Sequence, residues 1–507
     1  MLDISRPDLA FGLVGVGAMG KGIAQIMAVA GIEVRMLDTR LGAAEAARAD
    51  LLKVFDLLTG KGRMTAEDAG QAAGRLKPMD GLQDLAGCHI VVEAIIEELG
   101  AKRELFAALE GVVGEECLIA SNTSSLSVTS IAAACKHPGR IGGFHFFNPV
   151  PLMKIVEVIA GVRTEPWVSD VLTALAKRAG HQPVRTADTP GFLVNHAGRG
   201  FITEGLRLLQ EGITTFDEVD RIMKEVVGFR MGPFELLDMT GLDVSHPVME
   251  SIYGQFYQEP RFRPSYLARQ RYDARLFGRK VGQGFYGYPE GKLQPVDPPR
   301  TPELQSRPVW VHSENPEWRA ALEDVVAEAG LPLDRAAKPS AQSLCLVTPL
   351  GRDATASALA LGLDATRVVA VDMLFGLGRR RVFMTTPVTA PDFADTAHAL
   401  LATAGALVAR LHDSPGFVVQ RMVATIVNIA CDIAQQRIAV PEDIDRAVTL
   451  GLGYPKGPLA LGDAAGGKNI LAILDGMLAL TGDPRYRASL WLRRRASLGV
   501  SLLTPEA

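Results

Sequence analysis

No uninterrupted apolar run in this 507-residue chain reaches the length needed to cross a bilayer. The opening MLDISRPDLAFGLVG has no basic segment leading into a signal-type apolar stretch, so no export signal is expected. Cysteine is scarce. Its five residues, at 88, 117, 135, 345 and 431, make no CxxC pair and have no histidine at ligand spacing. No metal is expected, and the thiols read as free in a reducing cytoplasm. A net charge of -4 gives no reason to expect a nucleic-acid partner. What is present is 48% hydrophobic and 22% charged residues, a well-cored chain too long for one ordinary domain.

The first positive signal is FGLVGVGAMGKGIAQIMAVAGIEVRMLD. An apolar strand runs into Gly15, Gly17 and Gly20, a helix follows, and the next strand ends at Asp38. A glycine triplet alone is often just a loop. Between strand and helix, with an acid closing the next strand, it predicts a dinucleotide-binding unit. The first glycine allows a tight turn, the second lets backbone approach a pyrophosphate, and the third packs helix on strand. Asp38 suits the ribose hydroxyls and repels a 2'-phosphate, which favours NAD over NADP, while Arg40 could soften that exclusion. A strand in CLIASNTSSLSV breaks into polar residues, where Ser124 is either a site residue or a plain helix N-cap. Residues 41–80 form a long helical excursion carrying Lys53, Lys61, Arg63 and Lys77. It reads as a solvated face or as a basic patch for a phosphate-bearing ligand.

The second signal is GFHFFNPVPLMKIVEV, residues 143–158. RIGGFHFF and KIVEVI read as strands around the breaker-rich NPVPLM. A lone His or Glu in such a setting is usually a hydrogen-bonded structural residue. A fold-back at Pro151, midway between His145 and Glu157, makes the two cross-strand neighbours. A carboxylate beside an imidazole fixes its tautomer and stabilises its protonated form, which is what a general base needs.

Together with VVEAIIEELGAKRELF, ASNTSSL, DTPGFLVNHAGRGFITEG and GQGFYGY, these pieces resemble, in order over residues 10–290, the 3-hydroxyacyl-CoA dehydrogenase family. The resemblance implies NAD-dependent oxidation of an L-3-hydroxyacyl-CoA to the 3-oxo compound. It implies that His145 is the general base and Glu157 its orienting partner, with Ser124 and Asn195 on the substrate oxygens. It places Asn148 beside the cofactor and the catalytic pocket. NAD contacts are implied for Gly15, Gly17, Ala18, Met19, Gly20, Asp38, Glu97, Lys102, Ser124 and Lys280, and contacts to the CoA nucleotide for Lys53 and Lys61. The single-function length implies 3-hydroxyadipyl-CoA, as in aerobic phenylacetate breakdown, with 3-hydroxybutyryl-CoA as the other substrate. A non-catalytic NAD-binding scaffold is the rival of a different class, and the intact His145/Glu157 pair argues against it.

The remainder is a duplication. Asp188, Gly191, Asp220, Gly232 and Asp238 recur as Asp413, Gly416, Asp445, Gly457 and Asp463, all at an offset of 225. The expected layout is a Rossmann-type α/β domain (1–185), an all-α domain (186–290), a Pro-rich linker (291–308), a degenerate α/β domain (309–412) and a second all-α copy (413–507). The same offset puts Ala370, Met373, Val382 and Gln420 where His145, Asn148, Glu157 and Asn195 stand, so the second half reads as a relic without chemistry. The two helical copies are expected to pack as an intrachain pseudo-dimer, with further homo-oligomerisation left open.

Overall fold

The computed structural model describes residues 2–297 and 299–506. The chain divides into two compact units, Met1–His196 with Gln436–Leu452, and Ala197–Gln435 with Gly453–Ala507.

The first unit is built on β1 (Ala10–Val14), β2 (Glu33–Leu37), β3 (Leu76–Pro78), β4 (Ile90–Glu93), β5 (Leu118–Ser121), β6 (Ile141–Phe146), β7 (Ile155–Ala160) and β8 (Gln182–Ala187). They form one eight-stranded sheet in the order β3-β2-β1-β4-β5-β6-β7-β8. Order reverses at β1/β4, and the crevice beyond the carboxyl ends of such strands is where ligands bind in open α/β sheets. β6 and β7 are antiparallel while β7 and β8 are parallel, so the last two strands run against the other six. Near-continuous apolar sequence in β1, β4 and β5 reflects burial on both faces, for these strands are buried along their whole length. The excursion after Asp38 holds helices Ala43–Gly60 and Ala66–Arg75, as its periodicity predicts. It closes in β3, which the pattern does not announce: three residues with only Leu76 buried carry too little signal.

In the second unit, β9 (Val309–His312), β10 (Leu344–Val347), β11 (Val368–Val371), β12 (Arg380–Thr385) and β13 (Leu407–Leu411) form a five-stranded sheet in the order β13-β12-β11-β10-β9. This is the order of β8 to β4. The strands that would carry a glycine loop have no counterpart in it. β12 and β13 keep the offset of 225 from β7 and β8, pairing Arg380 with Leu407 as Ile155 pairs with Gln182. β11 does not, and the expected matching of Ala370 to His145 is corrected here. Ala370 pairs with Met384, and the residue bonded opposite Val382 is Asp372. The turn between these strands is shorter than that between β6 and β7, so the pairing slides by an even step and each side chain keeps its face. Asp372 thus stands in the place of His145, and Met373 in that of Phe146 rather than of Asn148. Gln420, at the place of Asn195, donates to Asp372 (3.1 Å) and accepts from the Gly351 N–H (2.9 Å). Burial pushes the Asp372 carboxyl up to about 6, against the hydrogen bond from Gln420.

Helix Val418–Gln435 is buried along nearly its whole length and packs on helix Arg199–Gln210. Gly200 permits the approach: a Cβ there would lie 2.8 Å from Ile429 and 3.1 Å from Thr425. The contact is locked by Arg421, buried, which donates to Glu204 (2.8 Å) and Glu211 (2.7 Å), while Tyr486 donates to Glu204 (2.9 Å).

Each helical copy also gives a helix to the other half's sheet. In the first unit, helix Pro441–Leu452 packs on β7 and β8, the Ala187 N–H donates to Ile438 O, and the Arg185 N–H donates to Asp443. In the second, the turn Met223–Val227 packs on β12, the His412 N–H donates to Ile213 O, and Arg380 bonds Glu218 (2.6 Å) and Glu225 (2.8 Å). The two backbone bonds are images of one another under the same offset.

Replacing Arg421 by Met should leave Glu204 buried with only part of its compensation. A loss of about 3 kcal/mol is expected, at the lower end for a broken buried pair, read as a lowered urea midpoint. A loss under about 1 kcal/mol would show that Tyr486 and Arg485 hold Glu204 without it.

Candidate active site

His145 on β6 pairs directly with Glu157 on β7, so their side chains share one face. His145 Nδ1 and Glu157 Oε2 are 2.5 Å apart. Glu157 is fully buried, and its other oxygen accepts the backbone N–H groups of Leu193 (2.9 Å) and Val194 (2.7 Å). Three donors on one carboxylate offset the cost of burying it and fix its orientation. The segment that brings those N–H groups in passes through Phe192, left-handed at φ 49°, whose ring packs on Val128 and Ile159 and lies 5.9 Å from the His145 ring. Phe147 covers the imidazole from 4.5 Å. With Nδ1 given to Glu157, Nε2 is the nitrogen left without a partner among the described residues.

Ser121, Asn122 and Ser124 follow at the end of β5. Asn122 accepts the Phe146 N–H (2.9 Å) and so pins β6 one residue beyond His145. Ser124 is half-buried, and its N–H (2.8 Å) and hydroxyl (3.2 Å) both point to Glu97. Thr123 and Ser125 donate to the same Glu97 oxygen. Burial raises the Glu97 carboxyl, but Lys102 and these hydroxyl and amide donors outweigh it and hold it below its ordinary range. Lys102 is buried, its ammonium shared between Glu93 (2.5 Å) and Glu97 (3.3 Å). Asn195, the second residue of helix Val194–Ala197, is half-buried with no side-chain hydrogen bond among the described residues, and Asn148 is exposed in the cis Asn148–Pro149 peptide.

The glycine loop fits a dinucleotide. Gly15 has φ 96°, and a Cβ there would sit 2.5 Å from the Ala94 carbonyl oxygen. At Gly20 it would sit 1.9 Å from that of Gly15, whereas at Gly17 it would meet nothing within 4 Å. The middle glycine therefore bares backbone beside helix Ala18–Val29, whose first residues are Ala18 and Met19. Asp38 closes the loop, accepting from the Val16 N–H (3.0 Å) and from Arg40 (3.0 Å). Burial raises its carboxyl, but Arg40 and the Val16 N–H prevail and hold it below the usual range.

Three of the expected ligand contacts are exposed lysines. Lys53 is exposed on helix Ala43–Gly60 beside Asp50, and Lys61 is exposed at that helix's C-terminus. Lys280 lies in the second unit, its ammonium on Asp243 (2.5 Å). Residues that pattern reading passed over are Glu93, Asn122 and the two amides of 193–194. Glu93 and Asn122 sit inside quoted motifs as polar residues ending buried parallel strands, a signal that could have found them. Backbone donors leave no mark in a sequence.

The model of the 3-hydroxyacyl-CoA dehydrogenase NAD-binding domain matches residues 10–189. That of the C-terminal domain matches residues 191–288 and again 416–501. The 3-hydroxyadipyl-CoA dehydrogenase of Escherichia coli K12 is 35% identical over 96% of this chain and 97% of its own. A probable 3-hydroxybutyryl-CoA dehydrogenase of Deinococcus radiodurans is 38% identical, covering 55% of this chain and all of its own. A crystal structure of 3-hydroxybutyryl-CoA dehydrogenase from E. coli K12 superposes with a TM-score of 0.84 at 32% identity, over 97% of this chain and 98% of that one. With both domain models matched and a like protein found along its whole length, the chain belongs to the 3-hydroxyacyl-CoA dehydrogenase family, enzymes that oxidise 3-hydroxyacyl-CoA with NAD.

Proposed function

We propose that this chain oxidises 3-hydroxyadipyl-CoA, in the cytoplasm, with one active site per chain at His145 and Glu157. The observation that supports the site is the 2.5 Å contact between His145 and a buried carboxylate already fixed by two backbone donors. The support for the substrate is the likeness to a 3-hydroxyadipyl-CoA dehydrogenase through both halves of the chain. The second reading, 3-hydroxybutyryl-CoA, rests on the relatives and the crystal structure of that name.

NAD, when bound, supplies the acceptor for the hydride that leaves C3. The Gly15–Gly20 backbone and the Ala18–Met19 helix start hold its pyrophosphate, and Asp38 its adenosine ribose. We assign Glu97 and Lys102 to shaping its binding crevice through their mutual pair rather than to direct charge contact. His145 takes the proton of the 3-hydroxyl on Nε2, and positive charge develops on the ring. Glu157 stabilises that charge at Nδ1 and holds the tautomer that leaves Nε2 basic. Ser124 and Asn195 are assigned to the substrate oxygens. In the reverse direction the same imidazolium returns the proton. The second helical copy, packed on the first through Arg421 and Glu204, is assigned the part a partner subunit would play, an intrachain pseudo-dimer.

His145→Gln is expected to lower kcat by about 100-fold or more while NADH fluorescence titration gives an unchanged Kd. Glu157→Gln should lower kcat at least as much as a general-base defect does. Near-normal turnover of His145→Gln would refute the dyad.

Asp38→Ala should raise the KM for NAD and, by freeing Arg40 to meet a 2'-phosphate, lower the NAD/NADP preference. Equal use of both cofactors by the unaltered enzyme would overturn the role given to Asp38. Calorimetric titration should find one NAD per chain, since the five-stranded sheet has no counterpart of β1 to β3. A stoichiometry of two would show that the second half binds it as well.

A further inference from the structure

In the sheet of the first unit, β5 gives out before β6 does. Their ladder ends with Ser121 opposite Gly143, while β6 runs on through His145 to Phe146. Phe146 is buried, so its N–H needs an acceptor that the backbone of β5 no longer offers. A side chain takes over: Asn122 Oδ1 accepts that N–H at 2.9 Å. Asn122 is itself held, 9% exposed, with its own N–H donating to Glu93 O (2.8 Å). The end of β6 is thus tied on two flanks, to Glu157 on β7 through the imidazole and to Asn122 at the next residue.

The second unit has the same corner without the His–Glu pair, and serves as an internal control. There the ladder of β10 and β11 ends with Val347 opposite Ala370, two residues before Asp372, as Gly143 stands two before His145. Thr348 follows β10 where Asn122 follows β5. Its hydroxyl donates to Ser313, just after β9 (2.7 Å), and among the described residues it makes no bond to Met373, which stands in the place of Phe146. A tie needed only to finish the sheet would have been kept, as the helix-starting bonds of Asp188 and Asp413 were. This one is absent where the imidazole and its carboxylate are absent.

We infer that Asn122 is a positioning residue for the reaction: by holding the Phe146 N–H it sets the end of β6, and with it the place of His145 Nε2 against the 3-hydroxyl. The inference rests on the reading of His145 as the general base. Proton transfer needs its heavy atoms about 3 Å apart, and a misplacement of about 1 Å costs on the order of 100-fold in rate.

In the full-length enzyme, Asn122→Ala should lower kcat by about 10- to 100-fold while NADH fluorescence titration gives an unchanged Kd. Asn122→Asp, which keeps an acceptor oxygen in place, should recover most of the rate. Asn122→Thr copies the second unit's corner; it should be as slow as Asn122→Ala and stands as the test should that variant fail to fold. The deciding measurement adds Asn122→Ala to His145→Gln. A residue that acts through the imidazole has nothing left to position there, so kcat should fall by less than about 3-fold further. A merely structural residue would impose the same factor in both backgrounds. Equal losses in the two backgrounds, near-normal turnover of Asn122→Ala, or an Asn122→Asp as slow as Asn122→Ala overturns this inference alone. Near-normal turnover of His145→Gln overturns the reading of the base and this inference with it.

Discussion

A carboxylate with no exposed surface must be met on both oxygens, and Glu157 sets that demand at the centre of the first unit. One oxygen takes the imidazole of His145, which requires β7 to run against β6 in a sheet whose first six strands are parallel. The other takes two backbone amides, which requires the chain leaving β8 to turn through a left-handed Phe192 and start a helix at Val194. Strand direction, register and the bend after β8 all answer to a single side chain. The same residue that orients the imidazole also fixes the segment carrying Asn195.

The second half shows what happens when that demand is lifted. Val382 replaces the carboxylate and needs no donor, so the turn before β12 is free to shorten and the pairing to slide. Asp372 then enters the position of the imidazole and is satisfied by Gln420 and the Leu374 N–H. Asp413, like Asp188 in the first half, still bonds the start of a short helix after the matching strand. Packing and capping residues persisted through the duplication. His145 and Glu157 have no equivalents there: Asp372 and Val382 stand in their places.

The sequence made the His–Glu pair legible because strands have a period of two and breakers mark turns, so His145 and Glu157 could be set opposite each other from spacing alone. The glycine loop and the offset of 225 were legible for the same reason, being patterns local in the chain or exact in repeat. β3 was not, since three residues carry no period. Nor was the placing of Ala370 against His145, because a turn of altered length keeps side-chain parity while moving every partner. The exchange of helices between halves is a long-range fact with no local mark. Arg199 is the sharpest case: an arginine in a helical pattern reads as surface, yet it is buried and its Nε has no partner among the described residues.

The exchange of helices bears on how the chain is made. β8 is the outer strand of its sheet, and what covers it is helix Pro441–Leu452, which leaves the ribosome long after Ala187. At a synthesis rate of about 5–20 residues per second, the interval lasts on the order of tens of seconds. Through that time the nascent first half holds an unpaired strand edge and an uncovered apolar flank, the features that invite association with other chains. Duplication gave the protein a partner that is always present, and it also made the first half wait for that partner to be translated.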